Sequence, residues 1–170
     1  LLEAEALAPC LDRDDLCLSE DFRWKWHEEI HRVRDQDLSR GILSDVLDIP
    51  ESDIRFESFG DAYAMFVGTQ RIGTWESEAA FYADVAGAEV IPQWSDDWEA
   101  LSPDARSSLL ASLRLFLETC PACGGAVMLD EDVVESCCRS IDVYAVTCTE
   151  CDSRLFEVKQ PEGAEAAAAG

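Results

Sequence analysis

Between residues 19 and 37 apolar side chains recur every three or four positions. Phe22, Trp26, Ile30 and Val33 make one stripe, the period of an amphipathic helix. Ser19 stands where a cap is needed, and Glu20 and Asp21 suit the positive end of the helix. "ILSDVLDIP" predicts a short second helix ending before Pro50. From Ile54 the alternation shortens to two residues: "IRFESFG", "AYAMFVG" and "RIGTW" read as a three-strand meander with turns near Gly60 and Gly68. The helical period returns in "ESEAAFYADVAG", which Gly87 is expected to stop. It returns again over residues 103 to 119, where Ser102 is the cap, Pro103 takes the first position, and Leu109, Leu113, Phe116 and Leu117 face a core. Beyond residue 120 the pattern is short and β-branched: "AVML", "VVESCC", "VYAVTC" and "RLFEV" predict strands. Residues 160–170, alanine-rich and of low complexity, are expected to be disordered.

Charge changes this picture more than composition does. With 48% hydrophobic residues in 170, the chain can bury a real core, but 36 acidic side chains face 13 basic ones and leave a net charge of -23. Eleven of the basic residues are Arg; the two lysines are Lys25 and Lys159. A strongly acidic chain with little Lys resembles proteins of extreme halophiles, where molar salt screens the self-repulsion. The overall field gives no help in attracting nucleic-acid phosphate. No apolar run is long enough to span a membrane. The opening "LLEAEALAPCL", carrying Glu3 and Glu5, lacks the basic start and long apolar stretch of a secretory signal. A cytoplasmic protein is therefore expected, its eight cysteines serving as thiols and metal ligands rather than disulfides.

Those cysteines carry the clearest chemistry. "CPACGG" at 120–125 and "CTEC" at 148–151 are two Cys-x-x-Cys pairs separated by 24 residues. Each can form a tight knuckle that points two thiolates at one ion, which gives a closed tetrahedral site with no position left for a substrate. Gly124 and Gly125 allow positive φ and close backbone approach behind the first pair. Residues 120–159 resemble the zinc-ribbon superfamily, in which two knuckles clamp zinc at one end of a small antiparallel sheet. The resemblance implies one structural Zn2+ held by Cys120, Cys123, Cys148 and Cys151. The chain departs from the pattern at Asp152 and Ser153, where ribbons often place Gly. Cys137 and Cys138, adjacent in a predicted strand, point to opposite faces, so one could lie near the ribbon core. Cys10 and Cys17 lack knuckle spacing and read as structural.

Two further patterns compete with this reading. "HEEIH" matches the H-E-x-x-H motif, in which His27 and His31 would bind a catalytic zinc and Glu28 would polarise water. Charged Glu29 and Arg32 sit where such helices are apolar, and no third His exists in the chain; an amphipathic helix accounts for the same residues. "ILSDVLDIPESDIR" could hold a helix-turn-helix with a recognition helix starting near Glu51, but Glu51 and Asp53 would then face phosphate. Arg23, Lys25, Arg32, Arg34 and Arg40 make residues 22–40 the least acidic region, yet Glu28, Glu29, Asp35 and Asp37 leave it a net of only +1. Trp24, Trp75, Trp94 and Trp98 could include a docking patch, although core packing is the commoner use of such residues.

The expected fold is α+β: N-terminal helices with a small antiparallel β-meander over residues 1–119, a C-terminal β zinc ribbon over 120–159, and a tail over 160–170. The expected function is a non-catalytic binding or regulatory module with another protein as partner. A zinc-dependent hydrolase using HEEIH is the alternative, and a DNA-binding regulator the second alternative.

Overall fold

The apolar stripe that begins at Phe22 forms helix α1, Glu20–Asp35, in a computed structural model that describes residues 6–10, 15–136 and 139–159. Ser19 caps the helix, its hydroxyl accepting from the Phe22 N–H, and Phe22, Trp26, Ile30 and Val33 are all buried. The fold is α+β. In front of α1 lies a two-strand hairpin, β1 (Leu7–Pro9) and β2 (Leu16–Leu18), that the sequence pattern did not predict. A disulfide joins Cys10 to Cys17 across it, which corrects the expectation that all cysteines are thiols or ligands. The hairpin register sets Ala8 against Cys17 and brings the two cysteines within bonding reach, a proximity that linear spacing does not reveal.

Helix α2, Ser39–Leu47, ends in a left-handed Asp48. A single 3-10 turn, Glu51–Asp53, then leads directly into strand β3, Ile54–Phe59, so no recognition helix starts at Glu51. Strands β3, β4 (Ala62–Val67) and β5 (Gln70–Trp75) form the antiparallel meander, with turns at Gly60 and Gly68 in positive φ.

Helix α3, Glu78–Val90, runs through Gly87 instead of stopping there. A Cβ on Gly87 would lie 2.7 Å from Leu110 Cδ2 and 3.6 Å from Trp26 Nε1, so the glycine permits close helix packing and does not terminate the helix. Helix α4, Pro103–Leu113, is capped by Ser102 as expected but ends early. Residues 114–116 tighten into a 3-10 turn and Leu117 is extended, so the chain approaches the first cysteine pair as strand-like backbone and not on a helix spanning 103–119.

The C-terminal sheet is a meander of β6 (Val127–Ser136), β7 (Arg139–Cys148) and β8 (Arg154–Lys159). "AVML" and "VVESCC", expected as separate strands, merge over Val127–Ser136 into one ten-residue strand. Cys137, Cys138 and the tail from residue 160 lie outside the described residues. Of the sheet's apolar residues, Val143 and Val146 are buried and Val127 and Phe156 are partly so. Leu129 is 62% exposed although its cross-strand partner Val146 is buried, β6 being an edge strand of the sheet, and Val134 falls outside the residues whose side chains are described.

This sheet does not build a separate core. Cys120, Val146, Cys148 and Leu155 belong to the same buried cluster as Phe22, Trp26, Phe81 and Val85. Polar contacts reinforce the junction. The Ser77 hydroxyl donates to the Arg154 carbonyl at 2.6 Å, and buried Arg114 donates to the Leu155 carbonyl at 2.6 Å and to Glu76 at 2.5 Å. Arg114 Nε also lies 3.1 Å from Asp84 Oδ1, an ion pair without hydrogen-bond alignment, while the Trp75 indole donates to Asp84 Oδ2.

One guanidinium facing two carboxylates leaves the cluster one negative charge in excess. Burial raises Asp84 to about 7, with the Arg114 charge and the Trp75 hydrogen bond opposing the rise. A carboxyl whose folded pKa exceeds its unfolded one binds more protons when folded, so its contribution to stability falls as pH rises from about 4 to about 7. Asp84→Asn is therefore expected to gain on wild type by roughly 2–4 kcal/mol across that interval, read from denaturant melts at both ends. A difference that is flat with pH would contradict the assignment.

Candidate metal centre

Backbone geometry sets the two cysteine pairs before any ion is considered. In residues 120–125 the Cys120 N–H donates to the Gly125 carbonyl at 2.8 Å, the Gly124 N–H donates to the Cys120 carbonyl at 2.8 Å, and Gly124 has φ +78°. Residues 148–153 repeat the arrangement: Cys148 N–H to the Ser153 carbonyl at 3.0 Å, Asp152 N–H to the Cys148 carbonyl at 3.2 Å, and φ +57° at Asp152. Asp is among the residues that tolerate the left-handed region, so "DS" closes the second knuckle where Gly was the expected residue. Gly125 serves a separate purpose. A Cβ there would sit 2.9 Å from Glu150 Cγ, so its bare backbone lets the two knuckles close on each other.

Four sulfurs converge as a result. Cys120, Cys123, Cys148 and Cys151 offer sulfur atoms that all lie within 4.8 Å of one another, with Cys120 to Cys151 at 3.7 Å, Cys123 to Cys148 at 3.5 Å and Cys123 to Cys151 at 3.4 Å. A tetrahedron with metal–sulfur bonds of about 2.3 Å has edges of about 3.8 Å, so the set fits a small thiophilic ion with little movement. Cys120 and Cys148 are buried; Cys123 and Cys151 are exposed. N–H groups of Gly125 and Glu150 donate to Cys123 and Cys148, and the Ser153 hydroxyl lies 3.2 Å from Cys151 sulfur.

Without a cation the four groups cannot all ionise. Burial pushes Cys120 up to about 12. At Cys151 burial acts in the same direction, but hydrogen bonds from Ser153 and the neighbouring thiols outweigh it and bring the group down to about 7. An arriving metal ion must displace protons, so apparent affinity falls with falling pH.

Residues 1–115 match the model described as "Family of unknown function (DUF8054) central domain", and residues 118–158 match "Family of unknown function (DUF8054) C-terminal domain". The chain belongs to the DUF8054 family. No curated protein and no solved structure matches it. All four clustered cysteines fall in the DUF8054 C-terminal domain, and they could hold a metal ion. Among the described residues no other group of three or more His, Cys, Asp and Glu side chains is close enough to do so.

The DUF8054 central domain supplies support that the sequence pattern did not reveal. Arg34, on the last turn of α1, donates to the carbonyls of Pro121 and Ala122 at 3.2 and 3.4 Å, inside the first knuckle. It also lies 3.0 Å from His31 Nδ1. His27 Nδ1 is 3.4 Å from the hydroxyl of Thr119, the residue before Cys120. Burial, then the charges of His31 and Arg23, lower the His27 pKa. Glu28 pairs with Lys25 at 2.8 Å, and Glu29 turns inward to Arg32. The three residues of the H-E-x-x-H match thus have other partners: His27 beside Thr119, His31 beside Arg34 and Glu28 paired with Lys25. Of these residues Arg34 alone reaches into the knuckle, a contact that only the packing of α1 against residues 121–122 makes visible.

Arg34→Gln, which cannot supply charged donors to both carbonyls, is expected to weaken metal affinity about tenfold or more, as for other supporting residues around metal ligands. Competition with a chromophoric chelator reads the change; an unaltered affinity would remove Arg34 from the centre.

Proposed function

We propose that Cys120, Cys123, Cys148 and Cys151 bind one structural zinc ion in a zinc-ribbon module over residues 120–159, and that the chain is a non-catalytic binding or regulatory protein acting on another protein. The observation that carries the reading is the convergence of four sulfurs from two like-built knuckles at near-tetrahedral spacing. Four protein thiolates fill zinc's coordination shell, so no position is open for water or substrate, and the ion acts structurally. Sulfur-rich tetrahedral sites select zinc or iron among common metals. A net charge of -23 disfavours nucleic acid as partner.

No helix among the described residues is long and apolar enough to cross a membrane. A cytoplasmic location belongs to the proposal and rests on four cysteines kept as thiols; the Cys10–Cys17 disulfide is the observation that pulls against it. Adaptation to molar salt belongs to it as well, on the charge balance.

Elemental analysis with X-ray absorption on the purified chain tests the centre. One zinc per chain with four sulfur neighbours at about 2.3 Å is the expected result. Iron, or nitrogen and oxygen in the shell, would replace the structural-zinc reading.

A further inference from the structure

The meander has two faces, and only one is covered. Ile54, Phe56, Met65, Tyr63 and Trp75 face inward, where Phe56, Tyr63 and Trp75 pack on Phe81 of α3. On the outer face Arg55, Phe66 and Arg71 stand in one cross-strand row. Phe59 and Phe66, their centroids 6.2 Å apart, lean together above fully buried Ala64. The Arg55 guanidinium lies 4.8 Å from the Phe66 ring centroid and is paired with Glu57. Phe59 remains 54% exposed and Ile72, left over by the β-bulge beside Phe66, 45% exposed. Among the described residues Arg71 makes no ion pair.

Charge sets this face apart from most of the molecule, residues 22–40 with their net of +1 being the other exception. Residues 54–75 carry Arg55, Arg71, Glu57 and Asp61 and sum to zero, whereas the whole chain carries -23. Exposed Trp24 has Glu20, Asp21 and Glu118 around it as well as Arg23, and exposed Leu129 is followed in the sequence by Asp130, Glu131 and Asp132. Two copies of so acidic a chain repel wherever like surfaces meet, so a locally neutral face is where they can approach most closely. A twofold interface must also be self-complementary, with the same patch offering an apolar centre and both signs of charge. Phe59, Phe66 and Ile72 provide the centre, Arg71 an unpaired cation, and Asp61 and Glu57 the anions. Aromatic and Arg residues are the types enriched in such contacts.

We propose that the outer face of β3–β4–β5 is the self-association surface of the protein, its occupant a second copy of the same chain. The proposal stands independently of the metal centre.

Sedimentation velocity on the full metal-loaded chain, over a concentration series in low and molar potassium chloride, tests it. A monomer–dimer equilibrium is expected, shifting at least about tenfold toward dimer as salt rises from about 0.1 to 2 M and screens the net charge. Phe59→Asp with Ile72→Asp should leave a monomer with wild-type metal content. Arg71→Glu, a surface change with no core consequence, should weaken association about tenfold by removing the cation that faces the other copy's acids. A chain monomeric at every concentration in both salts would overturn the proposal, as would a dimer untouched by these substitutions. Binding of a fluorescent single-stranded oligothymidylate that the same substitutions abolish, without self-association, would reassign the face to nucleic acid.

Discussion

Replacing Cys148 with serine is expected to remove the metal ion and to unfold more than the C-terminal sheet. Four thiolates on zinc contribute roughly 10–16 kcal/mol in zinc-finger peptides at neutral pH, comparable to or above the whole stability of a typical domain. Cys148 and Cys120 are buried in the cluster that also holds Phe22, Trp26 and Phe81, and Arg34 of α1 grips the first knuckle. Loss of the centre therefore exposes one side of the common core. An autonomous ribbon would leave residues 1–119 largely folded; the shared core instead predicts that near-ultraviolet circular dichroism of buried Trp26 and Trp98 weakens together with the loss of the metal ion. The same joint loss is expected on adding a strong chelator to the wild-type chain. A Cys148→Ser protein that keeps its metal ion would show that a ligand has been misassigned, and unchanged tryptophan signals would show that the two parts fold independently.

The second large effect concerns salt. Thirteen cationic side chains cannot neutralise 36 carboxylates, so a net charge of -23 remains however the surface is arranged. Raising potassium chloride from about 0.1 to 2 M shortens the screening length from about 10 Å to below about 3 Å. Repulsion among neighbouring carboxylates then weakens in the folded state, where they are held closest. A gain of about 3–5 kcal/mol, or a melting temperature higher by about 10 °C or more, is expected. Lithium or ammonium chloride at equal ionic strength should reproduce most of it if screening is the cause. A melting temperature that stays level or drops across the series would set aside the halophile reading.

Local signals in this chain were readable where one periodicity served one face. The stripe from Phe22 to Val33, the Ser19 and Ser102 caps and the three meander strands follow from side-chain chemistry within a few residues. The four cysteines were readable because their spacing encodes the knuckles. What escaped depended on distant neighbours. Gly87 looks like a helix stop until Leu110 and Trp26 are placed against it. Residues 114–117 keep helical periodicity yet leave the helix, because Arg114 is drawn to Glu76 and to the Leu155 carbonyl of a strand 41 residues away. Leu129 has the hydrophobicity of a core residue and no core to enter. The pairing of Cys10 with Cys17 required the register of two three-residue strands too short to show alternation.

Helix α3 has a consequence for which changes the protein can accept. Five of its nine buried positions are small, Ala79, Ala80, Ala83, Ala86 and Gly87, with Phe81, Asp84, Val85 and Val90 the larger ones. It is surrounded, with α1, α2, α4, the meander and β8 all packed on it. Most proteins are damaged at the centre by losing volume, through cavities left behind when a large side chain shrinks. At these five positions there is little volume to lose and no room to gain. An inherited change from Ala83 or Ala86 to valine or leucine would force helices apart at about 1–3 kcal/mol each, so drift along this helix is confined to exchanges among the smallest residues, and the molecule's permissible variation is displaced outward to the faces that meet solvent.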